Sequence, residues 1–170
     1  MKKLHLVFVT FCMLAIASCG SSDSSSTSNE PAPAPAPKVE AEVEKYWEEF
    51  EISATGNTMQ DMMFSEKNIT VEEGSWVRIV LYNEGVDAAM IHNLLVCNFG
   101  TRKEVAMKAI EAGADNQFIP NHKDLVAASD LAQPGETVTM EFEAPAKGNY
   151  EFFCSYPGHS QMMRGYLFVK

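Results

Sequence analysis

The sequence predicts an all-β sandwich or barrel carrying one inserted helix. Apolar residues alternate with polar ones at Val77, Ile79 and Leu81, and again at Val138, Met140 and Phe142. Strand-like segments are short and separated by Gly, Pro and Asn, as in sandwiches and barrels. One segment, 101–112, breaks the pattern with apolar residues at helical spacing.

Taken in order, the chain of 170 residues opens with a targeting signal. Lys2 and Lys3 precede an apolar run from Leu6 to Ala17, too short to span a bilayer comfortably. Ile16-Ala17-Ser18-Cys19 resembles the cleavage site of bacterial lipoproteins, in which the cysteine is lipidated and begins the mature chain. Residues 1–18 are therefore read as a lipoprotein signal peptide and Cys19 as its lipidation site. Residues 19–38 are rich in Ser, then alternate Pro with Ala, and bury nothing. They form a linker, with a reach of roughly 60 Å if fully extended. The folded domain is placed at 39–170.

Within it, 39–51 is acidic with interspersed Val43, Tyr46, Trp47 and Phe50, and periodicity leaves a helical turn and a first strand both open. A strand at 76–82 follows the turn signal Glu72-Glu73-Gly74. The apolar run 91–97 suits an interior strand. Thr101 is placed to cap the helix and Gly113 to end it, with Val105, Ala106, Ala109 and Ile110 on its apolar face. Ala144-Pro145 closes the strand holding Val138, Met140 and Phe142, because proline cannot continue a ladder. Segments 150–154 and 165–169 complete the set.

Charge narrows the function. Removing residues 1–18, which hold two lysines and no acids, leaves the chain two units more negative than its full-length −10. A nucleic-acid binder would need a basic face. Acidity fits solubility, or steering toward a basic partner.

The chemistry lies in Cys154-Ser155-Tyr156-Pro157-Gly158-His159-Ser160-Gln161-Met162-Met163, with His92 upstream. A thiolate, an imidazole and a thioether fall within ten residues, at Cys-x4-His-x3-Met spacing. Two His and one Cys in a plane with a weak axial Met form the donor set of blue copper electron-transfer sites. Cu(I) prefers soft, low-coordinate sites and Cu(II) prefers tetragonal nitrogen and oxygen. A rigid site of this type suits both, so little motion accompanies electron transfer. Cys154, His92, His159 and Met163 are the candidate ligands, Pro157-Gly158 supplies the turn, and Asn93 and Ser160 are placed to brace the loop. A structural zinc site would want four Cys or His ligands, and would need His122, which sits in a loop-like segment. A cysteine nucleophile with a histidine base lacks any recognisable flanking signature. Cys97 reads as a small buried hydrophobe on a strand.

From about Phe50 to Lys170 the chain resembles the azurins, members of the cupredoxins. The resemblance rests on the Cys154–Gly165 motif, on Met90-x-His92-Asn93, and on Ile52-x-x-x-Gly56-Asn57 with Met62, Phe64 and Ile69-Thr70-Val71. It implies a Greek-key β-sandwich of about eight strands with a helical flap, binding one type 1 copper. It implies ligation by His92, Cys154, His159 and Met163, with the backbone carbonyl of Ile91 as a weak contact. It also implies electron exchange through an exposed edge of His159, inside an apolar docking patch of Met90, Pro157, Gly158 and Met162. Azurins commonly carry glycine where this chain has Ile91, tryptophan where it has Leu94, and an N-terminal disulfide for which it has no cysteines. The resulting expectation is a non-enzymatic carrier of single electrons in the bacterial periplasm, held to a membrane only by its lipid. Its partners would be redox proteins such as c-type cytochromes or copper-dependent reductases and oxidases. The alternative is a copper-binding protein for metal handling or delivery.

Overall fold

A computed structural model describes residues 45–170. The signal segment 1–18, Cys19 and the 19–38 linker lie outside the described residues.

Among the described residues, nine strands form two sheets. In the four-stranded sheet β1 (Trp47–Thr55) lies between β2 (Met63–Phe64) and β4 (Trp76–Asn83), and β7 (Thr137–Glu143) closes the far edge. The acidic segment left open by periodicity thus resolves as a strand from Trp47 onward. The β4 and β7 strands are antiparallel, and their alternation places Val77 opposite Phe142, Ile79 opposite Met140 and Leu81 opposite Val138. β1 runs parallel to β4, with Ile52 beside Leu81.

The five-stranded sheet has the order β3 (Asn68–Val71), β9 (Arg164–Val169), β8 (Gly148–Phe153), β5 (Leu95–Asn98), β6 (Leu125–Ala128). Between the sheets, Ile52, Ile79, Leu81 and Met140 meet Ile69, Val96, Phe152 and Leu167 in the main core. Gly165 pairs with Phe152 across β8 and β9. A methyl group on Gly165 would sit 2.2 Å from Phe152 Cζ and 2.6 Å from the Lys67 carbonyl, so only glycine fits.

β5 and the second half of β8, from Glu151 to Phe153, are buried on both faces. Val96 and Phe152 point into the sandwich, while Leu95, Cys97 and Phe153 point outward beneath the helix α1 (Arg102–Ala112). This double burial explains why the sequence here reads as an unbroken apolar run. The strand is nevertheless shorter than the run. Residues 91–94 stay out of the ladder because the 129–132 segment takes their backbone bonds. His92 exchanges both bonds with Ala132 (3.1 and 2.7 Å), and the Leu94 carbonyl accepts from the Ser129 N–H at 2.9 Å.

The helix forms where its spacing predicts, with two corrections. Thr101 stands at the N-cap position, but its hydroxyl donates backward to the Asn98 carbonyl at 2.7 Å instead of capping. Ile110 is exposed, and the buried face is completed by Arg102 beside Val105, Ala106 and Ala109. Gly113 ends the helix at φ +75°, donating its N–H to the Ala109 carbonyl.

Candidate metal centre

Three donor atoms converge from two separate segments. His92 enters from the bridged segment before β5, and Cys154 stands one residue past the end of β8. The loop from Cys154 to Met163 then folds back on itself. Its base is closed by the Cys154 N–H on the Met163 carbonyl at 3.0 Å, and the Met162 and Met163 N–H groups both reach the His159 carbonyl at 3.0 Å. Gly158 permits the turn at φ +87°. The result brings His159 Nδ1 to 3.2 Å from His92 Nδ1, with Cys154 Sγ 3.7 Å from the first and 3.8 Å from the second.

A point equidistant from these three atoms lies about 2.1 Å from each, close to the ~2.0–2.3 Å of metal bonds to imidazole nitrogen and thiolate sulfur. The triangle fits one first-row metal ion. The electrostatics agree. Burial, reinforced by the neighbouring His159, holds the His92 imidazole down at about 4, and burial lowers His159 as well. Both rings are therefore neutral at pH 7, as metal ligation requires. Burial also pushes the Cys154 thiol up to about 12, against backbone hydrogen bonds that lower it. Without a cation the thiol keeps its proton, and a metal must displace it. Two imidazoles and a thiolate, with soft sulfur available, select copper among such ions.

Asn93 and Ser155 tie the two ligand segments together. Asn93 Oδ1 accepts from the Ser155 N–H at 2.9 Å, and its Nδ2 donates to Ser155 Oγ at 2.9 Å and to the Gln117 carbonyl at 3.1 Å. The Ser155 hydroxyl donates onward to the Phe118 carbonyl at 2.7 Å. Gln117 and Phe118 both have φ +53°, a costly backbone for residues with side chains, and these bonds hold it in place. Asn93 thus links the segment that carries His92 to the residue after Cys154. Ser160 contributes differently: its backbone carbonyl accepts from Arg102 Nη1 at 2.7 Å. Arg102 carries no local sequence signal for this role.

The remaining expected residues divide. Met163 is fully buried at the base of the loop. Ile91 is half-buried between two anchors, the Met90 carbonyl accepting from Asn83 Nδ2 at 2.7 Å and the His92 N–H bound to Ala132. Pro157, Gly158 and Met162 are exposed. Met90 is not: it is 3% exposed, because it turns inward into the main core, and it cannot line a docking rim. Met59, which the sequence did not single out, lies there instead, its Cε 2.8 Å from where a Gly158 Cβ would stand. His159 is 1% exposed, so the open imidazole edge implied by the resemblance is closed over, with the Tyr156 ring 4.9 Å away. His92 Nε2 is, among the described residues, the one buried side-chain nitrogen or oxygen without a hydrogen-bond partner. His122 stays in a loop beside Asp124, facing Glu104 of α1 and apart from the cluster, and Cys97 is a buried free thiol under α1.

A two-sheet sandwich with one flap helix, holding buried His, Cys and His donors at one end, defines a blue copper protein of the cupredoxin class. Comparisons with known proteins agree. The family model for copper binding proteins, plastocyanin/azurin family, matches residues 50–170. Auracyanin-A of Chloroflexus aurantiacus is 32% identical over 117 residues, 67% of this chain and 71% of that protein. The structure of auracyanin A, described as a "blue" copper protein, matches with a TM-score of 0.65 at 31% identity, covering 73% of this chain and 99% of the other. The azurin Az-iso2 of Methylomonas sp. strain J gives 0.64 at 30% identity, over 72% and 97%. Outer membrane protein H.8 of Neisseria gonorrhoeae is 29% identical over 118 residues, 66% of this chain and 64% of that protein. The chain belongs to the plastocyanin/azurin family of copper-binding proteins, and its cofactor is copper.

Proposed function

We propose that this protein shuttles single electrons between redox partners in a bacterial cell envelope. One type 1 copper would be held by His92 Nδ1, Cys154 Sγ and His159 Nδ1. Met163 would be the weak axial thioether, and the Ile91 carbonyl a more distant contact. The observation that carries the reading is the buried triangle of donors, at 3.2, 3.7 and 3.8 Å. Bound copper supplies one-electron chemistry at nearly fixed ligation. The chain's own part is to hold the donors rigid, keep both imidazoles neutral and exclude water. Burial of all three donors favours retention of the ion over handing it on, which weighs against a delivery role.

Electrons would pass near His159, behind a rim of Met59, Pro157, Gly158 and Met162. A small apolar rim suits brief docking with partners such as c-type cytochromes or copper-dependent reductases and oxidases. The lipobox at Cys19 and the Ser/Pro/Ala linker support a membrane-tethered form in the periplasm, and a relative named as an outer membrane protein points the same way.

Adding Cu(II) to the purified protein should give an intense blue colour that bleaches and returns reversibly on reduction and reoxidation. A colourless product with intact fold would overturn the reading. For the tether, Cys19→Ser should release the protein from the membrane fraction; retention of that variant on membranes would sink the lipid anchor.

A further inference from the structure

Behind the ligand loop lies a buried ion pair that joins three elements. Arg102 is 4% exposed and Glu151 8%. The guanidinium Nε donates to Glu151 Oε1 at 3.3 Å, and its Nη1 donates to the Ser160 carbonyl at 2.7 Å. Glu151 Oε2 accepts from the Gly100 N–H at 2.9 Å. Glu151 stands in β8 three residues before Cys154, Ser160 directly follows His159, and Arg102 is the first residue of α1.

Helix stability does not account for this arrangement. The positive end of the helix dipole faces a helix N-terminus, so a cation at the first position works against it. Burial of an ion pair in place of apolar side chains is often neutral or unfavourable for stability. What the pair does achieve is directional. The planar guanidinium reaches two acceptors at once, a geometry lysine cannot reproduce. The guanidinium bonds the ligand loop directly, through the Ser160 carbonyl, whereas the Glu151 carboxylate bonds Arg102 and the Gly100 N–H.

We propose that Arg102 is a positioning residue for the copper site: it clamps the His159–Met163 turn to the helical flap, and the oriented Arg102–Glu151 pair raises the reduction potential. The inference rests on the copper reading, since only a bound ion feels the oriented charge. A positive charge turned toward the loop disfavours the more highly charged Cu(II) form. Removing Arg102 leaves the carboxylate uncompensated, and removing the carboxylate leaves the cation uncompensated. The two changes must therefore move the potential in opposite directions, whereas mere loosening of the fold would not sort them by sign.

The test uses the full chain, and the blue colour of the wild type establishes the copper site independently of the clamp. At pH 8, Arg102→Gln should lower the potential and Glu151→Gln raise it, each by about three- to tenfold in the equilibrium constant of a one-electron exchange. The double variant, which loses the pair as a whole, should fall between the two single variants and below the wild type. In copper-free protein, Arg102→Gln should speed hydrogen exchange of the Met162 and Met163 amides by about tenfold or more. If Arg102→Gln does not fold, Arg102→Lys keeps the charge but loses the fork; its potential should stay near the wild type while the same amides still exchange faster. Shifts of the same sign in both single variants, no shift in either, or unchanged exchange of the loop amides in the arginine variants would overturn the proposal.

Discussion

Asn93 and Ser155 are 62 residues apart and bonded in both directions, side chain to backbone and side chain to side chain. The first neighbours His92 and the second neighbours Cys154, so this pair ties together the segments of two proposed copper donors. Asn93→Ala should leave the buried Ser155 N–H without a partner and release the Gln117 carbonyl. We expect a loss of about 2–4 kcal/mol in chemical denaturation and copper binding about 10–100-fold weaker. Unchanged stability and affinity would show that the pair is incidental.

The buried imidazoles make the copper-free fold sensitive to acid. His92 is lowered to about 4 and His159 is lowered too, whereas in the unfolded chain both titrate near 6.5. Between those values the unfolded state binds more protons, so falling pH favours unfolding. Stability should be fully present above about pH 6.5 and lost down to about pH 4, by of order 3 kcal/mol for His92 alone. Urea denaturation across this range checks it, and His92→Leu should flatten the slope. A denaturation midpoint unaffected by pH would contradict the burial.

Met163→Leu tests the proposed axial role. Exchanging a soft thioether for an alkyl group of similar volume should keep the fold and the blue colour while raising the potential, because the weak donor stabilising Cu(II) is gone. Loss of copper binding in a folded variant would assign Met163 a different role.

Gly165→Ala probes the packing that seats β9 against β8. Its methyl would meet both the Phe152 ring and the Lys67 backbone, and the backbone cannot yield. A destabilisation of about 3 kcal/mol is expected, read as a lower thermal midpoint. A neutral effect would mean the strands can part at no cost.

What the sequence made legible, and what it hid, follows from the range of each interaction. Val77, Ile79 and Leu81 announce their face because a strand repeats every two residues. Cys154, His159 and Met163 stand out because one short loop carries all three. Arg102 and Met59 were invisible, since the first finds its partners 49 and 58 residues away and the second covers the loop from β1's far turn. An exposed Met90 and an open His159 edge are implied by the resemblance alone, and exposure depends on neighbours that local sequence does not encode. Gln117 and Phe118 adopt positive φ without glycine, held by bonds from Asn93 and Ser155 that no turn signal foretells.

The single hydrogen bond from the Cys154 N–H to the Met163 carbonyl closes the ligand loop where it leaves and rejoins the sheet. Between those two residues the loop is held again, by Asn93 on the Ser155 N–H and by Arg102 on the Ser160 carbonyl. A change in loop length between these anchors would leave the closing bond and the β8–β9 register in place. The sandwich then behaves as a chassis and the loop as an interchangeable insert, letting redox character drift while the fold stays constant.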